Sequence, residues 1–94
     1  QFARLKDYGF NDKASSIKVQ YTYDIANFCA VLTVWADTNF KGHRTNFIAT
    51  YNNKNTEFSN LKKIFCKNSP LNWGDRISSC FFRLLLLGSE PEEL

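Results

Sequence analysis

An all-β domain is what this 94-residue sequence predicts, and three observations predict it. Short runs rich in β-branched and aromatic residues alternate in polarity along the chain. Clusters of Asn, Asp, Ser, Pro and Gly separate those runs. One seven-residue pattern also recurs, each time at the head of an apolar run.

The strands are expected at Ser15 to Tyr23, Ala30 to Trp35, Arg44 to Thr50 and Ser78 to Leu86. Asp37-Thr38-Asn39-Phe40-Lys41-Gly42 is a turn cluster, Tyr51 to Thr56 an Asn-rich loop, and Lys67 to Gly74 a second long connection carrying Asn, Ser, Pro and Gly. Phe58, Leu61 and Ile64 or Phe65 recur at helical spacing after Asn55-Thr56, which suggests one or two helical turns in the chain leading to that connection, with an irregular loop as the alternative. A mass of 10.9 kDa allows one core. Residues 1–88 are therefore read as a single domain and 89–94, Ser-Glu-Pro-Glu-Glu-Leu, as an acidic tail with nothing to bury.

Twelve Lys and Arg against nine acids give a net charge of +3, and Glu90, Glu92 and Glu93 concentrate three of those acids in the tail. The basic residues of the body are scattered, with no run longer than Lys62-Lys63, so they read as solvated surface and not as a nucleic-acid interface. The longest aliphatic run is Leu84 to Leu87, far short of the ~20 apolar residues of a spanning helix. The chain opens on Gln1, with neither Met nor a charged-then-apolar leader, from which a processed or trimmed chain is expected.

Cys29, Cys66 and Cys80 contain no C-x-x-C pair. In so small a basic domain one disulfide plus one unpaired thiol is the expectation, and the spacing does not say which two would pair. A zinc site from these cysteines and His43 lacks regular spacing, and a Cys–His nucleophile lacks a third orienting group. No catalytic constellation is visible, so a non-enzymatic protein is expected.

The repeat carries most of the information. Asn11-Asp12-Lys13-Ala14-Ser15-Ser16-Ile17 is echoed by Gly74-Asp75-Arg76-Ile77-Ser78-Ser79-Cys80. Each copy follows a Gly-containing turn and runs into an apolar strand. Between them, Val34-Trp35-Ala36-Asp37-Thr38-Asn39-Phe40-Lys41-Gly42 suits a folded hairpin whose Phe packs over its own turn and whose Gly takes a strained conformation.

An aromatic-x-x-x-Asn-Phe-x-Gly hairpin followed by an Asp-x-x-Ser-Ser arch closely resembles the Greek-key motif of the βγ-crystallin superfamily. The family's calcium pattern, (Asn/Asp)-(Asn/Asp)-x-x-(Ser/Thr)-Ser, is met at every position by Asn11 to Ser16 and at all but the first by Gly74 to Ser79. Leu5 to Asp12 is also similar to secreted bacterial members that include metalloproteinase inhibitors. The resemblance runs to about Leu87 and implies a Greek-key β-sandwich. A family domain would open with its own hairpin roughly twenty residues before Asn11, so the first hairpin is expected to be missing from the chain, removed by processing or supplied by a second chain.

By the same resemblance, two calcium ions would lie between the arches and use them crosswise. Asp12, Ser15, Asp75 and Ser78 would contribute side chains, and Lys13, Arg76 and Ala36 main-chain carbonyls. Calcium takes six to eight oxygens, and about one carboxylate per site implies weak binding, on the order of 10⁻⁵ to 10⁻³ M, as in extracellular modules. Lys13 and Arg76 would weaken it further unless their side chains turn away. The competing expectation is that Ser and Asp merely hydrogen-bond the backbone to close the arch. Trp35, Phe40, Trp73 and Phe81 are read as core packing.

The function expected from these readings is a secreted or extracellular, non-enzymatic domain in which Ca²⁺ stabilises the fold. The alternatives are a secreted protease-inhibitor or toxin-like module using Asn52 to Asn60 or Lys62 to Pro70, and a structural domain that takes a protein partner or second chain to complete its sheet. Neither nucleic acid nor a membrane span is expected.

Overall fold

The computed structural model describes residues 3–8 and 14–88. Five strands make up two antiparallel sheets: β1 (Ile17–Gln20), β2 (Phe28–Asp37), β3 (Lys41–Thr50), β4 (Asn55–Phe58) and β5 (Ser79–Leu86). One sheet has the order β3-β2-β5 and the other pairs β1 with β4. Among the described residues, helix is limited to two single 3₁₀ turns, Leu5–Tyr8 and Leu61–Lys63. The fold is all-β, and no helix of the described residues is long and apolar enough to cross a membrane.

Side-chain alternation explains how the sheets face each other. On β1, Ile17 and Val19 point inward and Lys18 and Gln20 outward, the period of a strand with one wet face. β2 is apolar apart from Thr33 and the terminal Asp37 because it is the central strand of its sheet and buries both faces. Ala30 and Val34 face the main core with Val19, Tyr21, Phe47, Ala49, Leu61, Trp73 and Ile77. On the opposite face, Cys29 and Val31 pack with Ile48 and Leu85 in a smaller cluster.

β2 and β3 are joined by the hairpin read from the sequence, and its distortion is visible residue by residue. The register slips between Trp35 and Asp37, and Asn39 and Phe40 both have φ of 59°. That double left-handed turn folds Phe40 back so that its ring meets Trp35 edge-on, with centroids 5.1 Å apart. Gly42 follows at φ 82°, where a side chain would strike the Asp37 carboxylate, its Cγ at 2.9 Å. Glycine is thus required there by both conformation and space.

The expected strands overlap β1, β2, β3 and β5, whereas β4 lies across the end of a segment read as loop. β4 has only Phe58 as a large apolar residue, too short a run to show alternation. Its pairing with β1, a 2.5 Å bond from the Thr56 hydroxyl to the Ile48 carbonyl, and the Phe58 ring set edge-on to Phe47 at 5.4 Å hold it in place. The helical spacing after Phe58 resolves to the single turn at Leu61–Lys63, where the Asn60 side chain caps the Lys62 N–H. Of the two residues left open there, Ile64 packs on the core and Phe65 faces solvent.

The expected disulfide is not formed: Cys29, Cys66 and Cys80 are all thiols. Cys29 faces the small cluster on one side of β2, while Cys66 and Cys80 belong to the main core on the other, so the sheet itself separates Cys29 from both. Burial raises the Cys66 and Cys80 thiols above the usual cysteine range, with Arg76 pulling Cys66 the opposite way. Such thiols are protonated at neutral pH and are poor nucleophiles. The tail, 89–94, lies outside the described residues.

Candidate functional site

The second copy of the repeat forms an arch between the loop ending at Trp73 and the first residue of β5. Asn72 starts it, accepting the Gly74 N–H on its side chain at 2.9 Å and the Arg76 Nε–H on its carbonyl at 2.8 Å. Asp75 then takes φ 54°, a left-handed conformation that Asp tolerates better than most residues. Its side chain is exposed, and its N–H donates to the Ala14 carbonyl at 3.1 Å. That bond places Asp75 beside Ala14, a residue of the first copy of the repeat.

The arch is also tied to the folded hairpin. Ser78 N–H donates to the Trp35 carbonyl at 2.9 Å, next to Ala36, and the Ser78 carbonyl accepts from Leu5 N–H at 2.9 Å. Ser79, fully buried, donates its hydroxyl to the Asp37 carbonyl at 2.7 Å and accepts the Phe40 N–H at 3.1 Å. One hydroxyl therefore holds both sides of the hairpin turn. Asn39 N–H reaches Ala3 at 2.7 Å, which joins the N-terminal segment to the same cluster.

Of the residues expected to bind metal, Asp12 and Lys13 lie outside the described residues. The others gather at one end of the two sheets. Ser15 is exposed just ahead of β1, with its carbonyl taking the Leu61 N–H at 3.0 Å. Ala36 sits in the β2 bulge, half-buried, and Ser78 is buried at the foot of β5. Arg76 is half-buried with its guanidinium bonded back to the Asn72 carbonyl.

No protein-family model, curated protein or solved structure matches the chain. Inference about the site therefore rests on its own chemistry. Among the described residues, no three His, Cys, Asp or Glu side chains cluster as a metal site. Asp75 is the one anionic side chain of the second arch, and it is exposed in a segment whose other polar side chains besides Arg76 are the serine hydroxyls of Ser78 and Ser79. That set suits a hard cation held mostly by neutral oxygens and offers nothing to a thiophilic metal.

Sequence reasoning missed the N-terminal contribution. Leu5–Tyr8 is too short for a periodic signal, yet Ala3 and Leu5 each supply one main-chain bond to the hairpin tip and the arch. Trp73 was read as packing alone. Its ring is completely buried and its Nε1–H donates to the Thr45 hydroxyl at 3.0 Å, so it also anchors the loop that presents the arch.

Proposed function

We propose that this chain is a non-enzymatic, calcium-binding domain of βγ-crystallin type, working outside the cell, with a Greek-key arrangement of its strands. The observation that carries the reading is the Asp75 N–H to Ala14 carbonyl bond, which brings together two arches 63 positions apart in matched sequence repeats. Further support comes from the folded hairpin closed by Ser79 and from β4, which leaves the sheet of β2, β3 and β5 to pair with β1.

The donor chemistry fits calcium. Asp75 and Ser15 would supply side-chain oxygens at the exposed end, Asp12 and Ser78 the matching groups of the crosswise pairs, and Lys13, Ala36 and Arg76 main-chain carbonyls. Of the two cations that would weaken the site, Arg76 has its guanidinium engaged by the Asn72 carbonyl. Bound calcium supplies a cross-link between the arches. At a free concentration 100 times Kd, one such site adds about 2.7 kcal/mol to stability.

Calorimetric titration of chelator-treated protein tests this. Saturable binding with Kd on the order of 10⁻⁵ to 10⁻³ M is expected, together with a rise in melting temperature. Asp75→Ala and Asp12→Ala should each weaken binding at least tenfold. Absence of both heat and a melting shift at millimolar calcium would overturn the proposal.

A second reading is favoured by the connection after β4. Phe65 and Leu71 project into solvent from a loop braced by the Cys66 N–H to Leu71 carbonyl bond of 2.7 Å and the Phe65–Asn72 bridge. A rigid loop presenting apolar tips is what a protease-inhibitor module uses. Inhibition of a metallo- or serine protease that is lost in Phe65→Ser would support it, and inactivity across a panel of both classes would remove it.

A further inference from the structure

Among the described residues β5 is an edge strand of the β3-β2-β5 sheet, and its sequence carries little of the usual protection against strand pairing. It contains no Pro or Lys, its pairing with β2 runs without a bulge, and its one charge is Arg83. Its register with β2 sets Phe82 opposite Leu32 and Leu84 opposite Ala30. Both partners belong to the main core, so Phe82 and Leu84 lie on the core-facing side of the sheet. They nevertheless remain 55% and 44% exposed. β4 packs on β3, and β1 on β2 and β3, so the second sheet stops short of β5.

Backbone direction agrees with the side chains. Leu87 N–H bonds the Asn27 carbonyl at 2.7 Å, and alternation from that pair turns the amide groups of Phe81, Arg83 and Leu85 toward β2. The amide groups of Cys80, Phe82 and Leu84 therefore point to the open edge. An edge offering a row of amides above a row of apolar side chains fits an extended strand.

We propose that the occupant is β5 of a second copy, paired antiparallel about a two-fold axis through Phe82. That register overlaps nearly the whole strand. It sets Phe82 against Phe82 of the other copy, Leu84 against Cys80, and Arg83 against Phe81. The last pairing gives the guanidinium a second ring besides its own Phe81, 5.4 Å away. It also lies where the Arg83 Nε is buried without a hydrogen-bond partner. A shift of the axis by one residue toward the C-terminus would oppose Arg83 to Arg83, which is repulsive, and one toward the N-terminus would set Arg83 against Ser79 and lose its contact with the second Phe81 ring. A shift by two shortens the overlap, to residues 82–86 or to 79–81. The inference does not depend on calcium binding.

Two apolar side chains and one strand per copy fall below the ~1,200 Å² of a standard interface, so association is weak, with Kd of about 10–100 μM. Sedimentation equilibrium between about 5 and 500 μM should show the average mass rising toward twice that of one chain. Phe82→Lys should remain monomeric over that range with its near-UV circular dichroism unchanged. Register is tested by oxidation in a Cys80→Ser background. Phe82→Cys should cross-link, since facing positions lie ~5.5 Å apart. Leu86→Cys should not, since its copies would be ~27 Å apart at 3.4 Å per residue. A single-chain mass at every concentration, a dimer that survives Phe82→Lys, or faster cross-linking of Leu86→Cys would each overturn the proposal.

Discussion

Trp73→Ala is expected to destabilise the domain by about 3–5 kcal/mol, the range for truncating a fully buried Trp. For a chain of this size that is a large part of a total on the order of 5–14 kcal/mol. Two losses combine. The cavity opens in the main core among Leu61, Cys66 and Ile77, and the Thr45 hydroxyl loses the indole N–H that it accepts at 3.0 Å. Trp73→Phe separates them, because it retains much of the ring and removes only the donor, at a cost of about 1–2 kcal/mol plus a smaller packing term. Urea unfolding followed by near-UV circular dichroism reads both. A cost below about 1 kcal/mol for the Ala variant would mean that Trp73 does not anchor the arch loop.

Ser79→Ala should cost about 2–3 kcal/mol, because it strips one partner from two main-chain groups of the hairpin at once. The Phe40 N–H and the Asp37 carbonyl both meet this hydroxyl, and the side chain is completely buried. Ser16 holds the same place in the first repeat but is exposed, so Ser16→Ala should change stability by less than about 0.5 kcal/mol. Equal costs for the two serines, read from the same urea curves, would contradict the assignment of the clasp to Ser79. The pair is informative because the sequence alone presents Ser16 and Ser79 as equivalents.

That asymmetry shows where the sequence was legible. The hairpin from Trp35 to Gly42 could be read in detail because its constraints are local: an aromatic pair, a left-handed turn and a glycine whose Cβ has no room. β2 and β5 were visible because burial on an apolar sheet demands β-branched and aromatic residues in sequence. β4 was missed because its stability comes from β1, Ile48 and Phe47, all distant in the chain. The cysteines show the same limit, since their separation on opposite faces of β2 depends on strand register and not on spacing. The repeat located Ser15, Asp75 and Ser78, but only the folded chain shows Asp75 bonded to Ala14 and Arg76 turned to Asn72.

The first repeat and the acidic tail both carry carboxylates, so a calcium isotherm alone does not locate the ion. Amide chemical-shift mapping does. On titrating calcium into ¹⁵N-labelled protein, the largest shifts should fall at Ser15 and Ser16, at Ala36 and Asp37, and from Asp75 to Ser79, moving together along one binding curve. Shifts confined to Glu90, Glu92 and Glu93, or an unchanged spectrum at millimolar calcium, would contradict a metal site between the arches.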